Sequence, residues 1–289
     1  MDRHYTLGVM LVTFSALIWA SAGIFTRGVD ADAWSVIFWR GLAATGFTFI
    51  YLLLTEGLRR EWKMMRPPAW LATVLMASGT AAFIPAFKLS SVANVALIWA
   101  TAPFVTAALA WVMLGERPSR RVVIASIATA AGVGILAGGS VQGGGLAGDL
   151  LAFWMTLMMS ASFLIYRRWP QTPAALPSAL SAMLLLPFAL MFTDPVTVST
   201  QERWILVAFG AVFAAASVLM LEGARRIPAA EVALIGALET PLAPVLAFLI
   251  LSETPPAATL TGGVLIFAAV LWAQINGMKH HSRNRATEG

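Results

Sequence analysis

Few side chains of this sequence are charged, and two of the charged ones stand inside long apolar segments: Arg40 and Glu239. A charge at membrane depth costs about 3 kcal/mol on insertion scales, and it usually marks a ligand or ion pathway. A guanidinium in such a place can recognise a substrate carboxylate. A buried carboxylate can bind an ammonium group or carry a coupling proton. Both residues are therefore candidate substrate-binding residues.

Each of these two charges also has a structural interpretation. Arg40 lies close to the start of its apolar segment, so its guanidinium can instead reach the membrane surface or bond a neighbouring helix end. Glu239 can instead be protonated and tie helices together. Pro241 and Pro244 follow it and remove backbone donors, which loosens the helix and favours a polar cavity at that depth. The sequence leaves both interpretations open.

Three tryptophans, Trp19, Trp99 and Trp154, fall towards the middle of apolar segments. Tryptophan is expected at membrane surfaces whatever the function, but an indole N–H inside a segment needs an acceptor or water. A central aromatic cavity explains all three positions, and helix packing is the alternative. In a cavity, these rings would stack on apolar substrates or contact an ammonium group. We expect further polar and adaptable wall residues at Ser21, Met158, Tyr166 and Met220.

Prolines inside apolar segments are candidate gating hinges. Proline has no backbone N–H, so each one interrupts the regular hydrogen bonding of a helix. Kinks at such points often serve as hinges when a protein changes conformation. The predicted hinges are Pro85, Pro103, Pro187 and Pro241.

The sequence offers little material for enzyme chemistry. It has no cysteine, and its three histidines, His4, His280 and His281, lie in the polar ends. It has no Gly-rich phosphate loop of the P-loop type, which excludes ATP hydrolysis by this chain as a source of power. No acidic pair and no Ser-His-Asp set indicates a membrane-embedded enzyme. We therefore predict a non-enzymatic protein with no catalytic residue, no metal site and no cofactor.

The composition requires a bilayer around these residues. Hydrophobic residues make up 59% of the chain and charged residues only 11%, whereas roughly a quarter of the residues of a soluble domain are charged. Apolar segments of about 20 residues, the length of a membrane-crossing helix, follow one another along the chain. We predict an all-α polytopic membrane protein with ten transmembrane helices at 7–25, 34–54, 68–87, 92–114, 121–137, 146–166, 174–193, 203–221, 229–251 and 258–275.

Basic residues predict the orientation of these spans. With the N-terminus in the cytoplasm, 15 lysines and arginines fall on the cytoplasmic side, and only Arg27, Lys88 and Arg203 fall outside. Cytoplasmic loops carry an excess of such residues. Both termini are therefore predicted to be cytoplasmic, and the net charge of +5 indicates membrane topology and not a nucleic-acid partner.

An internal repeat divides the chain into halves. Residues 94–118 and 231–255 align without a gap at an offset of 137 residues, and ten of the 25 aligned positions are identical. Five spans lie in each half, and an odd number of spans per repeat gives the two copies opposite orientations. We predict two inverted five-helix repeats at 1–138 and 148–276, a flexible Gly-rich linker at 139–147 and a cytoplasmic tail at 277–289.

Short motifs occur at the ends of three predicted spans: Gly115-Glu116-Arg117-Pro118 after the fourth, Ser252-Glu253 after the ninth and Gly148-Asp149 at the start of the sixth. Together with the repeat, these motifs resemble the EamA-type drug/metabolite transporter superfamily over almost the whole chain. That family usually has Pro directly after the residue that corresponds to Glu239, whereas Thr240 follows it here. The richness in Trp and Met most resembles the YddG-type amino-acid exporters.

The resemblance implies a secondary transporter that works by alternating access. A small amphipathic metabolite, expected to be an aromatic or other neutral amino acid, would enter a midplane cavity from the cytoplasm, and rocking of the repeats would release it outside. The alternative is a broad-specificity exporter of drugs or nucleobase-like metabolites. We expect a multi-pass protein of a bacterial-type inner (plasma) membrane, a monomer or weak homodimer. Its expected partners are the lipid bilayer and a small-molecule substrate, without nucleic acid.

Overall fold

The computed structural model describes residues 3–143, 145–224, 226, 235–236 and 239–287. Regular structure in this part of the chain is entirely helical, which confirms the all-α prediction. The helices are α1 (Arg3–Ala20), α2 (Ala22–Arg27), α3 (Ala33–Leu54), α4 (Gly57–Lys63), α5 (Pro67–Leu89), α6 (Val92–Trp99), α7 (Ala102–Leu114), α8 (Arg120–Gly143), α9 (Leu146–Arg168), α10 (Ala175–Phe192), α11 (Thr200–Ala224), α12 (Glu239–Leu251) and α13 (Ala257–Thr287), with a 3-10 turn at Pro195–Thr197.

Eight helical segments of the described residues are long and apolar enough to cross a membrane. They correspond to the first eight predicted spans, and α1 with α2 forms the first of them. Two shorter apolar helices, Glu239–Leu251 and Ala257–Trp272, occupy the places of the ninth and tenth. Most of the first half of the predicted ninth span, at 229–234 and 237–238, lies outside the described residues.

The outer surface of the bundle is apolar. Leu54, Val112 and Leu249 expose 81%, 78% and 68% of their surface, while Phe209 and Ile84 are fully buried. A soluble protein rarely exposes contiguous apolar surface on this scale. A lipid environment accounts for these exposed side chains.

Turns interrupt the first and fourth spans. Helix α1 ends before Ser21, whose hydroxyl donates to Ile18 O at 2.6 Å. Helix α6 ends at Trp99, and α7 begins at Ala102 with Pro103 in its first turn. Proline is favoured there because the first N–H groups of a helix have no partner within it. Trp99 therefore lies at an interruption near the middle of its span.

The other predicted hinges lie within described helices. Pro85 stands inside α5 and Pro187 inside α10, and both helices continue past their prolines. Pro241 lies in the first turn of α12. Proline inside a helix still removes one backbone hydrogen bond and weakens the helix locally.

The predicted linker is partly helical. Helix α8 continues through Gly143, and α9 begins at Leu146, so only a short connection separates the halves. Gly148 of α9 packs against the end of α5: a Cβ there would lie 2.6 Å from the backbone of Leu89 and Ser90. Helix α13 likewise continues to Thr287, beyond the predicted end of the tenth span.

The two halves repeat one local structure at the sequence offset of 137 residues. Helices α7 and α12 each have 13 residues, and each is followed by a residue with positive φ, Gly115 at 70° and Ser252 at 55°. In each case the next N–H, of Glu116 or Glu253, donates to a carbonyl six residues earlier at 3.3 Å. A residue in the left-handed conformation directly after a helix is a common way for the helix to end.

The main helix contacts also occur in matched sets. The third span packs on the sixth (α5 on α9) as the eighth packs on the first (α11 on α1). The second packs on the eighth (α3 on α11) as the seventh packs on the third (α10 on α5). The pairs α3 with α10, α6 with α12 and α8 with α13 join equivalent spans of the two halves. Each of these main contacts is therefore reproduced when the halves are exchanged.

Connections that the sequence predicts on one side of the membrane meet at one end of the bundle. Arg27 after the first span donates to Ser90 O at 2.6 Å, before the fourth. Its Nε also lies 3.8 Å from a carboxylate oxygen of Glu253, after the ninth. Glu202, at the start of the eighth span, accepts a hydrogen bond from Asp30 N at 2.6 Å. These contacts hold this end of the bundle together.

Candidate substrate-binding site

Arg40 is enclosed by phenylalanine rings. Its guanidinium carbon lies 5.0 Å from the ring centre of Phe209, 5.6 Å from that of Phe83 and 5.7 Å from that of Phe213. Its Nε is buried and has no hydrogen-bond partner. The rings stabilise the cation through their π-faces, but no described residue forms a salt bridge with it. We call Arg40 and these three phenylalanines the arginine cage.

Helix packing fixes the depth of this cage. Asp32 caps α3 by accepting from the N–H groups of Trp34 and Ser35 at 2.8 and 3.1 Å. Arg40 follows the cap by eight residues, or about 12 Å of helix. Gly210 lets α11 approach α3 there, because a Cβ at this glycine would lie 2.2 Å from Arg40 O. The close approach brings Phe209 and Phe213 of α11 to the guanidinium.

A chain of aromatic contacts joins Trp19 to the cage. The Trp19 ring packs edge-on against Phe213, with centres 4.7 Å apart. Phe213 packs edge-on against Phe209 at 4.6 Å, and Phe209 stacks on Phe25 at 5.0 Å. Edge-on and stacked pairs at these distances are favourable. Trp19, on the first span, therefore contacts a ring that also contacts Arg40.

Glu239 and Trp99 form a second polar contact. Glu239 is the first residue of α12, which packs on α6, and the Trp99 side chain lies within hydrogen-bonding reach of its carboxyl group. Trp99 also faces Phe163 of α9, with ring centres 6.3 Å apart. The indole N–H at the end of α6 and the carboxyl at the start of α12 meet in the interior of the fourth and ninth predicted spans. This arrangement combines an aromatic surface with an acidic group.

The remaining predicted site residues lie on α9 and α11. The Trp154 indole is 46% exposed and donates to Ser78 Oγ at 3.0 Å. The Tyr166 hydroxyl donates to Met76 Sδ at 3.8 Å. Both partners belong to α5, so these side chains join α9 to α5. Met158 and Met220 are half-buried on α9 and α11.

Sequence reasoning missed the three phenylalanines and a second buried network. Asp149 accepts hydrogen bonds from the Ser90 hydroxyl at 2.5 Å and from the Asn94 amide at 3.3 Å. Asn94 also donates to Ser140 Oγ at 2.8 Å and accepts from Thr259 Oγ1 at 2.6 Å. The network ties five helix ends together. The Gly148-Asp149 motif was its only signal, whereas phenylalanine in an apolar chain gives none.

The described residues contain no group of three or more histidine, aspartate or glutamate side chains that could hold a metal ion. The site offers instead one guanidinium, one carboxyl group and several aromatic faces. A guanidinium can bind a carboxylate, a carboxyl group can bind an ammonium, and aromatic faces can pack on apolar groups.

Comparison with known proteins agrees with this architecture. The model of the EamA-like transporter family matches residues 6–138 and again residues 146–274. The chain belongs to the EamA-like transporter family. The family is one of membrane transporters of small molecules, so the family prediction and the multi-pass membrane prediction are confirmed. The two separate matches confirm two family repeats.

A solved crystal structure, described only as that of a protein, has a similar fold. Its TM-score is 0.65 at 19% sequence identity, over 94% of this chain and 98% of that chain. At this identity the similarity shows the fold alone. A comparison with curated proteins finds no match.

Proposed function

We propose that this EamA-family transporter exports small amphipathic metabolites, chiefly aromatic and other neutral amino acids. The observation that carries the proposal is Arg40, a half-buried residue whose Nε is buried and lacks a partner. A buried charged donor that lacks a hydrogen-bond partner costs free energy. A substrate carboxylate would supply that partner through a charge-assisted hydrogen bond.

The acidic and aromatic groups complete the proposed recognition. The Glu239 carboxyl, beside Trp99, would accept the substrate ammonium or carry a coupling proton. Trp19 and Trp99 would pack on the apolar side chain of the substrate. In this proposal the protein is a YddG-type exporter, because Arg40 would bind the carboxylate of an amino acid and Glu239 its ammonium group.

Alternating access between inverted repeats is the proposed mechanism. The repeats at 1–138 and 148–276 would exchange conformations, with both termini in the cytoplasm. This is supported by the odd number of spans predicted in each half, by the matched helix contacts and by the similar helix ends at Gly115 and Ser252. The contacts of Arg27 with Ser90 and Glu253 would form the external closure of the cycle.

Counterflow into proteoliposomes that contain the purified protein tests this function. Labelled tryptophan, threonine and methionine would be offered, with an imposed pH gradient in a second arm. We expect saturable uptake of at least tryptophan, and acceleration by the pH gradient would assign proton coupling. Folded protein that moves none of the three but moves aromatic drugs would favour the broad-specificity exporter.

A further inference from the structure

The arginine cage is an aromatic cation site that the protein fills with its own cation. Rings of Phe83, Phe209 and Phe213 stand 5.0 to 5.7 Å from the guanidinium carbon of Arg40. Sets of aromatic faces at such distances are the arrangement by which proteins bind ammonium ligands. Because Arg40 occupies these faces, a substrate ammonium cannot use them.

Phenylalanine rings stabilise the guanidinium without neutralising it. A ring has a quadrupole but no net charge, so the cage keeps a full positive charge. No described carboxylate pairs with Arg40, and the two salt bridges given by the described residues lie elsewhere, at Arg27 with Glu253 and at Arg226 with Glu222. A buried charge without a counter-ion attracts an anion and repels a second cation.

We infer that the arginine cage makes this transporter selective for substrates that carry a carboxylate, and that it excludes organic cations that lack one. This inference rests on the proposed function and specifies its substrate class. Arg40 contacts the substrate, and Phe83, Phe209 and Phe213 are positioning residues that hold the guanidinium in place. Selectivity comes from the charge of the cage, while the apolar part of the substrate is left free to vary.

Three ligands with one ring system test the charge requirement: tryptophan, indole-3-propionate, which lacks the amine, and tryptamine, which lacks the carboxylate. Each is used as an unlabelled competitor of tryptophan counterflow and as a ligand in thermal unfolding of the purified protein. We expect tryptophan and indole-3-propionate to compete and to raise the melting temperature, and tryptamine to be at least tenfold weaker. Tryptamine that competes as well as tryptophan would overturn the selectivity and leave amino-acid export intact.

The two proposals fail in different ways. If no amino acid is transported but indole-3-propionate still raises the melting temperature and tryptamine does not, the export of amino acids is wrong and the charge rule stands. If neither ligand affects the protein and nothing is transported, both proposals are wrong.

Variants of the cage test the role of its residues. Arg40→Gln should bring tryptophan and tryptamine within about twofold of each other, whereas Arg40→Lys should keep the preference for carboxylates with lower affinity, because Lys lacks the planar fork. Phe209→Leu keeps apolar volume but removes one ring, and it should raise the KM for tryptophan roughly two- to fivefold with kcat unchanged.

Phe248→Leu is the matched control for the ring substitution, because Phe248 is 53% exposed on α12. It should leave the KM for tryptophan unchanged. An equal rise in that KM for Phe209→Leu and Phe248→Leu would remove the positioning role of the cage. If Arg40→Gln does not fold, Arg40→Lys still decides the matter, because it should lower the affinity for tryptophan and indole-3-propionate, whereas a merely structural arginine would leave both affinities unchanged.

Discussion

At the scale of single residues, Gly210 sets the distance between α3 and the helix that carries Phe209 and Phe213. A Cβ there would lie 2.2 Å from Arg40 O, a backbone atom that cannot rotate away. Gly210→Ala should therefore force the helices apart and lower the free energy of unfolding by about 1–3 kcal/mol. Thermal unfolding in detergent measures this loss.

Gly134 of α8 is the control for that substitution, because a Cβ there would meet nothing within 4 Å. Gly134→Ala should be neutral or stabilising by up to about 1 kcal/mol, since alanine favours helix more than glycine does. Equal melting temperatures for the two variants would contradict the close approach at Gly210.

The Glu239 carboxyl and the Trp99 indole give a second prediction at this scale. Glu239→Gln keeps a hydrogen-bond acceptor for Trp99 but removes the acidic group. We expect tryptophan counterflow to fall at least tenfold, and any acceleration by a pH gradient to disappear, while the melting temperature changes little. Counterflow with and without the gradient measures both effects. A variant that keeps its full response to the gradient would leave Glu239 with a structural role only.

At the scale of single elements, the Asp32 carboxylate that caps helix α3 makes the stability of this helix end depend on pH. Burial opposes its charge, but hydrogen bonds from Ser35, Thr193 and Trp34 outweigh burial, so the pKa of Asp32 lies below its ordinary value. A carboxyl group with a lowered folded-state pKa stabilises the protein above its unfolded pKa, and this stability is lost as the pH falls through the folded pKa.

Acid should therefore weaken the start of α3. The melting temperature of the native protein should decline as the pH falls below about 4. The melting temperature of Asp32→Asn should be lower at neutral pH and should decline less in acid. Thermal unfolding at a series of pH values compares the two proteins. Parallel curves for the native protein and Asp32→Asn would show that the cap carries no pH dependence.

The sequence predicted elements better than contacts. Long apolar segments and their polar connections located eight membrane-length helices, because the cost of unpaired backbone groups in lipid leaves helix as the simple solution. The interruption at Ser21 was not predicted, the one between Trp99 and Ala102 lies directly before the predicted hinge Pro103, and α8 runs through most of the Gly-rich linker. Glycine weakens a helix by only about 1 kcal/mol, which packing of α8 on α13 can offset.

The sequence identified the two charges of the candidate site and the tryptophans Trp19 and Trp99, but not the phenylalanines that surround Arg40. Arg40 and Glu239 were identified because a charge in an apolar segment is rare. Phe83, Phe209 and Phe213 were not identified, because only the packing of α3 with α5 and α11 distinguishes them from the other phenylalanines. The 16 phenylalanines of the chain are all compatible with a lipid-facing or a core position.

At the scale of the whole molecule, the main contacts between the two halves occur in matched sets, and the halves share one kind of helix end. Exchanging the conformations of the two copies therefore preserves these main contacts. If the copies are inverted, exchange of their conformations converts access from one side into access from the other. Orientation of the two copies in the membrane therefore decides between this mechanism and a parallel duplication.

Two equivalent positions test that orientation on a chain without any native cysteine. Arg117 and Thr254 follow the equivalent glutamates Glu116 and Glu253 at the offset of 137 residues, and both are exposed. Inverted repeats predict that a cysteine at Thr254→Cys reacts with an impermeant maleimide added to intact cells. A cysteine at Arg117→Cys should react only after the membrane is permeabilised.

The same two cysteine variants also distinguish parallel repeats from an inverted arrangement whose termini lie outside. Parallel repeats would place both cysteines on one side, so equal labelling in intact cells would exclude the inverted arrangement. Reversed labelling, with Arg117→Cys accessible and Thr254→Cys protected, would keep the inversion but place both termini outside. Because both positions lie in short connections after helices of equal length, a difference in reactivity between them reports the side of the membrane and not the depth of the residue.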